Sequence, residues 1–154
     1  MLGIKRGEMM KLSTRGRYGL KAMFQLALHH GEGPISLKIV ADKQSLSENY
    51  LEQLFSTLKK DGLLDSVRGA QGGYLLSRNP NEITVGQILR SLEGNMAPSD
   101  CIVDNEFGCS REDSCVTRLV WIKIKDSIDE VIDSITLQDM VEDDKKIKNG
   151  EEMQ

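Results

Sequence analysis

Between residues 36 and 76 the chain carries two serine-headed helical patterns in close succession, then a glycine-rich turn between two short apolar runs, and few folds accommodate that order. Ser36 stands before Leu37, Ile39, Val40 and Ala41; after a turn at 43–46, Ser47 stands before Tyr50, Leu51, Leu54, Phe55 and Leu58, which recur every three or four residues up to Lys60. A serine hydroxyl ahead of such a run can accept an otherwise unpaired amide of the first helical turn, so each serine predicts a helix start. Asp61-Gly62 ends the second pattern. The apolar stretch 63–67, the turn Arg68-Gly69-Ala70-Gln71-Gly72-Gly73 and the stretch 74–77 predict a β-hairpin. Two short helices followed by a hairpin are the parts of a helix-turn-helix with a wing.

The flanks extend this frame. Leu20, Met23, Phe24, Ala27 and Leu28 predict a first helix from about Thr14 until Gly31 and Gly33 end the pattern. Thr84 is placed to cap a helix over 85–92, with Val85, Ile88, Leu89 and Leu92 inward and Gly94 as its stop. Residues 95–114 show no period, and a structureless loop of that length inside a compact unit is unusual unless it carries function. A long helix is predicted over 116–133, with apolar residues at 116, 119, 120, 122, 124, 128, 131 and 132. These exceed what one face needs against a small core, so the helix is expected to pair with its counterpart across a two-fold axis. Residues 136–141 add one more turn. The expected class is mainly α with a small β-hairpin, organised as a winged helix-turn-helix over 10–94, a loop over 95–115 and a dimerisation helix region over 116–141. Residues 1–9 and the charged tail 142–154 are expected to be disordered.

The net charge of −4 conceals a division: residues 1–78 hold 12 Lys/Arg against 7 Asp/Glu, and residues 79–154 hold 8 against 17. A basic front half suits phosphate and an acidic rear half does not. No apolar run approaches the ~20 residues of a membrane-spanning helix, and the N-terminal stretch has neither the apolar core nor the cleavage site of a signal peptide, so the expected place is the cytoplasm. The glycines at 69, 72 and 73 form neither a P-loop nor a dinucleotide-binding turn, and no paired carboxylates or Cys/His dyad argue for an enzyme. His29 and His30 fall at the end of the first helix, where a histidine meets the negative helix terminus favourably.

A helix fits the DNA major groove, where amide and carboxylate side chains distinguish base edges. On the third helix those side chains are Asn49, Tyr50, Glu52 and Gln53, with Ser47 at its start. On the wing, Arg68 can enter a narrow minor groove, while Gly69, Gln71 and Gly72 let backbone approach phosphate. Lys11, Arg15, Arg17 and Lys21 form a basic group at the first helix that can grip the backbone. Each feature alone also describes an ordinary solvated surface; their order along the chain favours double-stranded DNA.

Cys101, Cys109 and Cys115 lie within fifteen residues, in or at the edge of the stretch without period. An odd number of cysteines at such spacing argues against a disulfide framework and for metal binding or thiol chemistry. The gaps are wider than the paired cysteines of a zinc knuckle, which weakens zinc. Lys11-Leu-Ser-Thr-Arg-Gly-Arg-Tyr18, Ser47-Glu-Asn-Tyr-Leu-Glu-Gln-Leu-Phe55, Val67-Arg-Gly-Ala-Gln-Gly-Gly-Tyr-Leu-Leu76 and the cysteine triplet followed by Thr117-Arg-Leu-Val-Trp121 resemble the IscR-like iron–sulfur transcription regulators of the Rrf2 winged-helix family, which also holds NsrR and CymR. The resemblance covers roughly residues 10–141. It implies a homodimer, a palindromic operator, control of iron–sulfur biogenesis genes, and a 2Fe–2S cluster on the three cysteines whose presence changes DNA affinity or choice of site. There is one departure. Where the IscR pattern has a histidine ligand three residues after the last cysteine, this chain has Arg118, whose guanidinium offers iron no lone pair. A carboxylate from Asp100, Asp104, Glu106, Glu112 or Asp113, His29 or His30, a group of the partner subunit, or solvent is left to complete the site. A 4Fe–4S cluster with nitric-oxide sensing, a cluster-free thiol switch, and a metal-binding scaffold that does not read DNA stay open as alternatives.

Overall fold

The structure, a computed structural model, describes residues 12–102 and 115–152. The serine caps form as the pattern predicts. Ser36 Oγ accepts the Ile39 amide at 3.3 Å and Ser47 Oγ accepts the Tyr50 amide at 3.1 Å. Helices α2 (Leu37–Gln44) and α3 (Glu48–Lys60) follow them, after α1 (Thr14–Leu28). α2 runs into the stretch read as a turn, because Ser45 takes a left-handed φ of 54° and closes the helix end, with the Leu46 amide on Ala41 O at 3.0 Å.

Strands β1 (Leu64–Val67) and β2 (Gly73–Leu76) pair antiparallel, Leu64 opposite Leu76 and Val67 opposite Gly73. The wing has a third piece that sequence reasoning missed. Ile35, read as a lead into α2, exchanges both backbone hydrogen bonds with Tyr74 at 2.9 and 2.8 Å and extends the sheet by one residue. That pairing accounts for Gly73, since a Cβ there would lie 2.1 Å from Ile35 O.

Met23 and Leu26 from α1, Leu51, Leu54, Phe55 and Leu58 from α3, and Ile83 and Ile88 around α4 (Val85–Glu93) form one core. Each such side chain contributes about 1.5–3 kcal/mol when fully buried. Thr84 and Gln87 cap α4 reciprocally, amide to side chain at 3.1 and 3.0 Å.

Two expectations about the C-terminus need correction. The tail from 142 is not disordered: α6 (Leu137–Lys148) is helical, opened by Thr136 and Asp139 in a capping box. Nor is 116–141 one unit. α5 (Val116–Ser134) has no fully buried residue, whereas α6 returns to the main body and buries Leu137 and Val141 in the same core as α1 and α3. The Val85 amide on Ile135 O at 2.8 Å and the Leu137 amide on Ile83 O at 2.9 Å fasten this return. The charge density of 142–148 hid the helix because it buries only one narrow face, and the i,i+4 pair Lys148–Asp144 (2.7 Å) lies along its surface.

α5 is tied to α4 by charge. Arg90 donates to both Asp133 oxygens at 2.6 and 2.9 Å and to Asp129 at 2.8 Å, and Lys125 reaches Asp129 at 2.5 Å. Lys125 and Arg90 together hold the Asp129 carboxyl below the usual carboxylate range.

Candidate nucleic-acid interface

α3 presents a buried face, Leu51, Leu54, Phe55 and Leu58, and an opposite exposed face with Asn49, Glu52, Gln53 and Ser56. The side chains of Asn49, Glu52 and Gln53 take no hydrogen bond among the described residues, so they are available to a partner. Ser47 spends its side chain on the cap.

Tyr50 stands apart from this group. Its hydroxyl is buried with no hydrogen-bond partner among the described residues, and its ring packs edge-on against Tyr18 at 6.3 Å between centroids. The same period that buries Leu54 and Leu58 carries Tyr50 inward with them. A buried hydroxyl without a partner costs about 1–3 kcal/mol. Tyr50→Phe is therefore expected to raise the melting temperature by a few degrees and leave DNA affinity within about twofold, read by thermal unfolding and fluorescence anisotropy. A loss of affinity with unchanged stability would mean that the hydroxyl turns outward to DNA.

On the wing Arg68, Gly69 and Gln71 are exposed and Gly72 is half-buried. Lys59, near the end of α3, donates to Ser66 Oγ of β1 at 2.6 Å, which ties the wing to the helix it flanks. Sequence reading missed that tie, although a lysine in the last helical turn opposite a strand serine was its visible signal. On α1 Arg17 and Lys21 are exposed, whereas Arg15 is half-buried and donates from Nε to Leu92 O at 3.4 Å. Lys11 lies outside the described residues.

The two described cysteines both sit by α5. Cys101 lies in a short 3-10 turn, Asp100–Ile102, that packs on α5, half-buried with its Sγ 3.2 Å from Ser99 Oγ. Cys115 is the N-cap residue of α5, its Sγ 3.0 Å from Thr117 Oγ1, where the positive helix end favours an anionic ligand. Cys109, Asp104, Glu106, Glu112 and Asp113 lie outside the described residues. Among the described residues no three His, Cys, Asp or Glu side chains converge on one point. His29 is already engaged, its Nδ1 2.7 Å from Glu32 Oε2 and its Nε2 3.0 Å from Lys43 Nζ, and His30 Nε2 lies 3.1 Å from Asn79 Oδ1. The sulfur donors are of the type iron takes, and Arg118, in the first turn of α5, is not.

A capped second helix, an amphipathic third helix with a free polar face and a glycine-tipped hairpin beside it define a winged helix-turn-helix DNA-binding protein. A family model for Rrf2, described as an iron-dependent transcriptional regulator, matches residues 12–143. The chain belongs to the Rrf2 family and is a DNA-binding transcription regulator. It is 50% identical over 131 residues to the HTH-type transcriptional regulator CymR of Bacillus subtilis, covering 85% of this chain and 89% of CymR. The solved structure of that global cysteine regulator superposes with a TM-score of 0.74 at 47% identity, over 87% of this chain and 98% of that one. T. potens IscR gives a TM-score of 0.72 at 49% identity, over 94% of this chain and 93% of that one. The HTH-type regulator IscR of Pectobacterium carotovorum is 41% identical over 132 residues, covering 86% of this chain and 79% of IscR. Among the described residues no helix is long and apolar enough to cross a membrane.

Proposed function

We propose that the chain works as a cytoplasmic homodimer on a palindromic operator and that Cys101, Cys109 and Cys115 hold an iron–sulfur cluster, 2Fe–2S by resemblance, that adjusts its hold on promoters of iron–sulfur biogenesis genes. The observation that carries this reading is the placement of three cysteines within fifteen residues, with the first and last at α5. When bound, the cluster supplies redox and iron sensitivity; the thiolates bind it, and the turn Asp100–Ile102 and the start of α5 orient two of them. With Arg118 in place of histidine, the fourth position falls to a carboxylate, a partner group or solvent, and a site closed by such a weak ligand exchanges its cluster more readily.

Dimerisation is assigned to α5. Val116, Leu119, Val120 and Val131 are 74, 57, 46 and 56% exposed, and an apolar groove of about 580 Å³ runs along Val120, Ile124, Ile128 and Ile132. A two-fold pairing of this helix would set two copies of α3 in successive major grooves.

Anaerobic purification followed by absorbance and iron analysis tests the cluster. Wild-type protein is expected to be coloured, and the variant with Cys101, Cys109 and Cys115 all changed to Ala colourless with its folding intact. Colour that persists in the triple variant would overturn the ligand assignment. The similarity to a cysteine regulator favours one second reading, a cluster-free thiol switch on the same three residues. That reading predicts colourless wild-type protein whose operator affinity changes on oxidation and recovers with a thiol reductant.

A further inference from the structure

α1 begins without a cap of its own. Ser13 holds the N-cap position, yet its hydroxyl does not turn onto the amides of the helix it precedes. A neighbouring helix supplies the cap instead. Glu93, in the last turn of α4, places Oε1 so that Ser13 Oγ donates to it at 2.6 Å and the Gly16 amide donates to it at 3.0 Å. Both donors are groups at the positive end of α1 that would otherwise lack a partner within the helix. Arg15 adds a third tie, from Nε to Leu92 O.

Two glycines make this approach fit. A Cβ at Gly16 would lie 2.3 Å from Glu93 Oε1, and a Cβ at Gly19 would lie 1.9 Å from Leu92 Cδ1. The glycine pair on one face of α1 therefore matches two consecutive residues at the end of α4. The first turns of α1 also carry Arg15 and Arg17, read from the sequence as able to grip the phosphate backbone, and Gly94, directly after Glu93, opens the segment that leads to the cysteines.

We propose that Glu93 is a positioning residue for the DNA grip: it caps α1 from outside and so fixes where the first turn of α1 meets the phosphates. This rests on the reading of α1 as a backbone contact. The sign of its effect separates the role from mere electrostatics. As a negative charge near phosphates, Glu93 would weaken DNA binding, and removing it would tighten the complex. As a cap it strengthens binding, and only substitutions that lose the acceptor oxygen should loosen it.

The experiment uses the full chain and a fluorescent duplex that the wild type selects from a randomised pool, with anisotropy measured over a salt series. Glu93→Gln keeps the acceptor oxygen without the charge and is expected to bind at least as tightly as wild type. Glu93→Ala is expected to bind about tenfold more weakly, with a salt slope lower by about one phosphate contact. Glu93→Asp keeps the charge but withdraws the oxygen by one methylene, and is expected to be as weak as Ala or weaker. If Glu93→Ala does not fold, the Gln and Asp variants decide the matter between them. Equal affinity for all variants, or a rise on both Gln and Ala substitution, overturns the proposal. A wild-type chain that selects a duplex but keeps its affinity and salt slope when Arg15 and Arg17 are both changed to Ala overturns the α1 grip itself, and the Glu93 role with it.

Discussion

Val120→Asp combined with Val131→Asp is expected to turn the protein into a monomer and weaken operator binding at least a hundredfold. Both side chains are about half-exposed in the single chain, at 46 and 56%, so the substitutions remove little from the core and the monomer should keep its melting temperature within a few degrees. In a pairing through α5 the same positions would be buried, and a carboxylate taken out of water without a partner costs several kcal/mol on each side of the two-fold axis. Lys123 stands three residues from Val120 and offers a carboxylate there a partner, whereas the residues three and four positions from Val131 carry no charge, so the carboxylate at 131 is the one left unpaired. Operator binding falls for a second reason. Two readers held in one rigid body bind a palindrome at an effective concentration far above their free one, and separation removes that gain. Sedimentation velocity gives the oligomeric state and anisotropy the affinity. A dimer that survives both substitutions with affinity within threefold of wild type would move the interface off α5.

The local parts of this fold were legible because they are written in local signals. Ser36, Ser47 and Thr84 each head an apolar period, and each accepts the amide three residues on. The glycine run ends in a hairpin turn because little else fits there. What sequence reading missed depends on residues far apart in the chain. Ile35 joins the sheet only because Tyr74 arrives beside it, and nothing in Pro34-Ile35-Ser36 announces one residue of strand. Glu93 reads as an exposed helix-end carboxylate until α1, 77 residues away, is seen to lack its cap. The misreading of 142–148 has another cause: a helix with two buried residues among many charges has the composition of a solvated tail. Tyr50 carries two signals in the sequence: its spacing to Leu54 and Leu58 sets it with the inward residues, and its place beside Asn49 sets it among the side chains that can reach a groove. The fold leaves it half-buried with its ring against Tyr18.

Gln53→Ala and Arg68→Ala should weaken DNA binding in different ways, and the difference identifies what each residue touches. Gln53 is exposed on the outer face of α3, and its amide is uncharged. A Gln paired with adenine contributes about 1–3 kcal/mol of discrimination, so Gln53→Ala is expected to lower affinity for the selected duplex about 10- to 100-fold. Affinity for random duplex should stay near wild type and the salt slope should not move, because no phosphate contact is lost. Arg68 stands at the mouth of the wing, exposed and followed by Gly69. A guanidinium in a narrow minor groove responds to groove width and negative potential rather than to one base edge. Arg68→Ala is thus expected to weaken selected and random duplexes together, more for A·T-rich flanks, and to lower the salt slope by about one. Anisotropy titrations with both duplexes at several salt concentrations separate the two patterns. If Gln53→Ala reduces both duplexes equally, α3 holds the backbone rather than the bases, and base recognition must be assigned elsewhere on the reader domain.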